Sequence, residues 1–126
     1  MPQKIFADTD FFLAFMKDSD WLKEKAKRIY ERNKGNLLVS PFTIAEIMII
    51  CKRENIPLEE TLAQISRIAK LENFSWDIFF RACKFIEKGA TIFDSLLMAF
   101  CSENSQIISS DNIYKKFGFN VIDLNK

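Results

Sequence analysis

Short apolar runs alternate with longer amphipathic stretches along this chain, and the alternation predicts its elements. Lys4-Ile5-Phe6-Ala7 reads as a short buried strand that runs straight into Asp8. Thr9 to Met16, carrying Phe11, Phe12, Leu13, Phe15 and Met16, reads as a short helix on the strand's carboxyl end. Asp18 or Ser19 is placed to cap a second helix, Asp20 to about Arg32, with Leu22, Ala26, Ile29 and Tyr30 at helical spacing, stopped by Asn33-Lys34-Gly35-Asn36. Leu37-Leu38-Val39 is strand-like. Ser40-Pro41 pairs an N-cap residue with proline at the first helical position, which predicts a helix from Pro41 to about Arg53.

Asn55 to Glu60 opens a further helix with acids in its first turn, predicted to end near Leu71. Ser75 to Glu87 is another, closed by Lys88-Gly89, and Thr91 to Asn104 the next. Gln106 to Ser109 reads as a strand, Asp111 opens a short helical stretch to Phe117, and Phe119 to Ile122 reads as a last strand. No internal repeat, low-complexity tract or interdomain linker interrupts the series, so the expectation is a single domain over residues 1–126. Short apolar strands alternating with helices predict an α/β fold around a mostly parallel sheet. In such sheets the functional crevice lies outside the carboxyl ends of the strands.

Composition narrows the chemistry. The 126 residues contain no histidine, which removes Ser-His-Asp and Cys-His mechanisms, histidine general bases and metal sites built on imidazole. Basic and acidic residues number 18 and 17, so any grip on nucleic acid must come from local patches or a metal rather than a basic footprint. The 13 Phe are scattered, which reads as core filling more readily than as a stacking platform. Cys51, Cys83 and Cys101 lie far apart in apolar runs and read as buried free thiols of a reducing cytoplasm. No run reaches about 18 uncharged apolar residues, so a soluble, intracellular chain is expected.

The informative signal is where the acids stand. Glu46 is the only charge between Lys34 and Lys52, in a helix expected to be apolar on nearly all sides, and burying an uncompensated carboxylate there is costly. Asp94 is the only charge between Lys88 and Glu103. Asp8 and Asp111 each follow a strand. Ordinary explanations exist for each one: a strand-end turn for Asp8, a distant salt bridge for Glu46, a capping box with Thr91 for Asp94, an N-cap for Asp111. Taken together, four carboxylates that could face one crevice would repel and raise one another's pKa, and a divalent cation would remove that conflict. Without histidine or paired thiolates, an all-oxygen site suits Mg²⁺ or Mn²⁺.

Four segments carry a resemblance. Ile5-Phe6-Ala7-Asp8-Thr9-Asp10, Val39-Ser40-Pro41-Phe42-Thr43-Ile44-Ala45-Glu46, Ile92-Phe93-Asp94-Ser95-Leu96-Leu97-Met98-Ala99 and Ile107-Ile108-Ser109-Ser110-Asp111 match, in order and spacing, the pattern of PIN-domain proteins of the size of VapC-like toxins. The resemblance covers nearly the whole chain. It implies a three-layer α/β domain with a mostly parallel sheet of about four to five strands. It also implies a Mg²⁺- or Mn²⁺-dependent ribonuclease in which Asp8, Glu46, Asp94 and Asp111 form the catalytic and metal-binding set, with Thr9 and Ser109 as polar neighbours. Family chemistry would leave a 5′-phosphate and a 3′-hydroxyl.

Two features depart from the family pattern. Asp10 stands where Asn or Ser is usual, either as a water-mediated ligand or as a cap of the following helix, and Asn112 to Lys116 holds no arginine beside Asp111. The stretch Lys17 to Lys34 carries seven basic residues (Lys17, Lys23, Lys25, Lys27, Arg28, Arg32, Lys34) against Asp18, Asp20, Glu24 and Glu31. It reads as an RNA-tracking face or as an ordinary solvated one with i,i+4 pairs.

Competing readings are an inert PIN-like binding module, a housekeeping RNA-processing PIN nuclease, and a haloacid-dehalogenase-like phosphatase built on Asp8-Thr9-Asp10. The phosphatase leaves Glu46 without a role and meets Phe12 where Thr or Val is usual. The partners implied by the resemblance are an RNA substrate, an antitoxin and a second copy of the chain; the apolar stretches 47–50 and 79–85 read equally as a homodimer face or as ordinary core.

Overall fold

The computed structural model describes residues 3–16 and 21–125. Its centre is a sheet of five parallel strands: β1 (Lys4–Ala7), β2 (Leu37–Val39), β3 (Lys70–Leu71), β4 (Ser105–Ser109) and β5 (Asn120–Asp123), in the order β3-β2-β1-β4-β5. Among the described residues seven helices connect them: α1 (Thr9–Met16), α2 (Lys23–Arg32), α3 (Pro41–Glu54), α4 (Leu58–Ile68), α5 (Trp76–Glu87), α6 (Ile92–Phe100) and α7 (Ile113–Lys116). This is the α/β arrangement that the alternating pattern predicts.

The period of two along the central strands sorts their side chains into two cores. Ile5, Ala7 and Ile108 join Phe11, Phe12, Leu37, Ile47 and Ile65 on one face, under α1, α3 and α4. Phe6 and Ile107 join Leu97, Met98, Ala99 and Tyr114 on the other, under α5, α6 and α7. Both faces of β1 and β4 are therefore buried, which is why these strands read as unbroken apolar runs.

Several boundaries move, for identifiable reasons. The helix expected to reach Leu71 stops at Ile68; Ala69 takes an extended backbone, and Lys70 and Leu71 pair with Leu38 and Val39 as an edge strand. Both β3 residues are exposed, so no burial pattern announces them. α6 ends at Phe100, where Cys101 turns extended (φ −86°, ψ 143°) to feed β4, four residues short of the expected Asn104. The caps proposed at Asp18 and Ser19 lie outside the described residues; the described part of α2 starts at Lys23. α3 is apolar on nearly all sides as expected but is not buried on all of them, because Met48 and Ile49 are 40% and 55% exposed. Cys51 and Cys101 are buried as expected, but Cys83 is exposed on the outer face of α5.

The connectivity makes the site. From β1 the chain steps outward through β2 to β3, then returns across the sheet to β4 on the other side of β1. Strand order thus reverses between β1 and β4, and a crevice opens beyond their carboxyl ends, where Asp8 and Ser109 to Asp111 lie.

Candidate active site

A cleft of about 420 Å³ at this switch point is lined by Asp8, Thr9, Asp10, Leu13, Glu46, Ile50, Asp94, Ser110 and Asp111. The structure therefore brings together the four acids singled out in the sequence, from four segments, and adds Asp10. No lysine or arginine lines this cleft among the described residues. A larger hollow of about 610 Å³ lies against α2, but Lys27, Arg28 and Arg32 alternate there with Glu24 and Glu31 around Phe15 and Tyr30. That mixed lining fits a solvated face, and none of the four acids reaches it.

Each carboxylate is held by specific donors. Asp8 follows β1, and its own N–H continues the sheet by donating to Ile108 C=O at 3.0 Å. Its Oδ1 accepts from the Thr9 amide at 2.8 Å; its Oδ2 accepts from Ser109 Oγ at 2.9 Å and from the Tyr114 hydroxyl at 3.0 Å. Burial pushes the Asp8 carboxyl up to about 7, with the charge of Asp10 adding to the rise and the Thr9, Ser109 and Tyr114 hydrogen bonds opposing it.

Glu46 stands one turn into α3, which Ser40 caps by accepting from the Phe42 amide at 3.0 Å. Its Oε1 accepts a hydrogen bond from Thr9 Oγ1, so a neutral hydroxyl is its partner in place of the distant lysine or arginine that was one reading. Asp94 lies in the first turn of α6. Thr91 Oγ1 accepts from the Asp94 amide at 3.2 Å, which forms one half of the capping box. The other half is not made: Asp94 Oδ1 accepts from the Tyr114 hydroxyl at 3.0 Å.

Asp111 is exposed, and its local role is real, since Oδ1 accepts from the Ile113 amide at 3.0 Å as α7 begins. Ser109 Oγ both donates to Asp8 and accepts from the Asp111 amide at 3.0 Å, linking the two acids through one hydroxyl. Asp10, in the first turn of α1, reaches outside its own helix. Its Oδ2 accepts from the Ser110 amide at 2.7 Å and from Ser110 Oγ, tying α1 to the loop that carries Asp111. Its Oδ1 is buried with no hydrogen-bond partner among the described residues. Burial raises the Asp10 carboxyl above its ordinary value, against the pull of the Ser110 hydrogen bonds.

Tyr114 escaped the sequence reading. It is wholly buried, in a four-residue helix, Ile113–Lys116, whose only legible feature is the Asp111 that precedes it. Burial, then the charges of Asp8 and Asp94, push its phenol up, so the hydroxyl keeps its proton. A tyrosine three residues after an acid carries no signal by itself; its meaning lies in contacts to residues 106 and 20 positions away.

The chain matches the model of the PIN domain over residues 5–120. It belongs to the PIN-domain family. The fold agrees with solved structures of low sequence identity. Mycobacterium tuberculosis VapC20, a toxin that cleaves the sarcin-ricin loop, superposes with TM-score 0.76 at 17% identity, over 92% of this chain and 96% of that one. A toxin–antitoxin complex from Klebsiella pneumoniae gives 0.75 at 18%, over 96% and 97%. DNA-bound VapBC from Salmonella typhimurium gives 0.70 at 15%, over 98% and 99%. No curated protein sequence matches the chain. For this PIN domain the phosphatase alternative falls away, and a nuclease family replaces it.

The donor set fits a divalent ion. All its members are carboxylates and hydroxyls, the oxygen donors that Mg²⁺ and Mn²⁺ prefer. Two features leave room there for a cation: no lysine or arginine lines the cleft among the described residues, and Asp10 Oδ1 is buried without a hydrogen bond. As placed, no three of the described Asp, Glu or Cys side chains stand close enough together to hold a metal ion as a ready-made cage. Mg²⁺ needs no such cage, since it keeps several waters and takes one or two carboxylates.

Proposed function

We propose that this PIN domain is a Mg²⁺- or Mn²⁺-dependent endoribonuclease and the toxin of a toxin–antitoxin pair. The observation that carries the reading is the convergence of Asp8, Glu46, Asp94 and Asp111 on one cleft at the sheet's switch point. Asp8 and Asp94 would hold the ion, with Glu46 and Asp111 on the flanks and Asp10 behind Ser110. When bound, the ion would lower the pKa of a water, orient it toward the scissile phosphate and neutralise charge on the phosphate and leaving oxygen.

The chain's own residues do the rest. Ser109, Thr9 and Tyr114 fix Asp8, and Thr9 fixes Glu46, so the carboxylates are oriented before substrate arrives. A cleft with no lysine or arginine among the described residues repels a phosphodiester until cations are present, which makes the ion a condition for substrate entry as well as for chemistry. A single strand or loop suits the cleft, since the phosphate must reach carboxylates at strand ends. RNA as substrate implies the cytoplasm, and among the described residues no helix is long and apolar enough to cross a membrane.

An antitoxin that places a cation among these acids would silence them; this partner is supported by the toxin–antitoxin complexes among the structural neighbours. A second copy of the chain is supported by the exposed apolar side chains of α3 and α5, Met48, Ile49, Trp76, Phe79 and Phe80. The test of the central claim is cleavage of a mixed RNA pool in Mn²⁺, in Mg²⁺ and in chelator, with Asp8→Asn purified identically. Metal-dependent cutting that the variant lacks is the expected result. Metal-free cutting, or cutting by both proteins alike, would overturn it, and absence of both cutting and ion binding would return the inert module.

A further inference from the structure

Asp8 and Asp94 lie far apart in the sequence, one on the loop after β1 and the other in the first turn of α6. Among the described residues no hydrogen bond joins them directly, and a single atom joins them indirectly. The Tyr114 hydroxyl lies 3.0 Å from Asp8 Oδ2 and 3.0 Å from Asp94 Oδ1. The two carboxylates are thereby held within about two hydrogen-bond lengths of each other.

Nothing in the core demands that hydroxyl. Tyr114 shares its core cluster with Phe6, Leu97, Met98 and Ile107, an apolar surround that a phenylalanine would suit, while a buried hydroxyl costs free energy unless it is bonded. The ring is fully enclosed, and the Tyr114 carbonyl accepts from the Phe119 amide at 3.0 Å, so the hydroxyl is a fixed point. A phenol has one hydrogen and here meets two acceptors, so it can donate to only one carboxylate at a time. Its position also decides which oxygens remain available. Ser109 and Tyr114 together occupy Asp8 Oδ2, leaving Oδ1 with the Thr9 amide alone. Tyr114 occupies Asp94 Oδ1 and leaves Oδ2 without a hydrogen bond among the described residues.

We propose that Tyr114 is a positioning residue of the metal site: its hydroxyl lies between Asp8 and Asp94, donates to one of them at a time and sets their spacing, so that the oxygens it does not contact are presented to a divalent ion. The role rests on the metal-dependent reading above and acts through the two acids, not on the substrate. Outer hydrogen-bond partners of this kind typically change metal affinity about ten- to a hundredfold when removed.

The experiment compares wild type with Tyr114→Phe, which keeps the ring and deletes only the hydroxyl. Mn²⁺ binding is measured by calorimetry, folding by far-ultraviolet circular dichroism and a cooperative melt, and RNA cleavage across a Mn²⁺ titration. The expected result is a folded variant whose Mn²⁺ dissociation constant rises about tenfold or more. Its cleavage should fall at low Mn²⁺ and recover at high Mn²⁺ with KM for RNA unchanged. A role in packing alone would show a lowered melting temperature with unaltered Mn²⁺ affinity and no rescue, which overturns the proposal. Tighter binding by the variant would also overturn it, by making the hydroxyl a competitor of the ion. Wild type that binds no Mn²⁺ would bring down the functional reading itself, and this proposal with it.

Discussion

Asp8 is the residue at which electrostatics and function conflict most. Its folded pKa of about 7 stands above the ordinary 3.8 because burial withholds water from the carboxylate and Asp10 adds like charge. The folded state therefore holds this proton more tightly than the unfolded chain does. The stabilisation is fully present below about pH 4 and is lost as pH rises through 7, with a slope of at most about 1.4 kcal/mol per pH unit. Denaturant unfolding in chelator should show the wild type less stable at pH 7.5 than at pH 5. Asp8→Asn should flatten that difference, gain on the order of 2 kcal/mol over wild type at pH 7.5, and lose cleavage. Adding Mn²⁺ at pH 7.5 should restore wild type and leave the variant nearly unmoved. A variant as pH-sensitive as wild type would show that another group carries the effect.

The elements place these side chains, and their termini matter more than their lengths. α6 begins with Thr91 accepting from the Asp94 amide, and the same turn aims Asp94 at Tyr114. Thr91→Ala should cost about 1 kcal/mol by denaturant midpoint, as loss of an N-cap does, and should weaken Mn²⁺ binding as well, because the turn carrying Asp94 loosens. An unchanged midpoint would mean that packing of α6 alone fixes the turn. Gly89, at φ +100°, takes the left-handed backbone that ends the α5 segment and redirects the chain into that cap. These termini were legible, since Ser40-Pro41, Thr91-x-x-Asp94 and Lys88-Gly89 each carry local chemistry. β3 was not, because two exposed residues join a sheet only when β2 offers them an open edge.

At the scale of the whole molecule, the sheet order turns separate acids into one cleft, and an apolar surface is left over. Trp76, Phe79, Phe80 and Cys83 lie at helical spacing on the outer face of α5, and Trp76 and Phe80 are 76% and 68% exposed. An apolar helix face of this kind commonly marks an interface. If it joins two copies, light scattering on a sizing column should give a dimer for wild type and a monomer for Phe80→Glu, with the far-ultraviolet spectrum unchanged. A wild-type monomer would assign the face to a different partner.

The sequence by itself determined the α/β class, the order of the elements except β3, and the four acids as anomalies, because hydrophobic period, cap chemistry and isolated charges are local properties. It excluded imidazole chemistry outright through the absence of histidine. Only the tertiary structure decided that Asp10 clamps Ser110, that Thr9 is the partner of Glu46, that Asp94 turns away from its own helix terminus, and that Tyr114 spans two acids. Each of these is a hydrogen bond between residues at least 20 positions apart. Such contacts depend on which strands become neighbours, and strand order is set by the packing of both sheet faces at once, which no local stretch of sequence encodes.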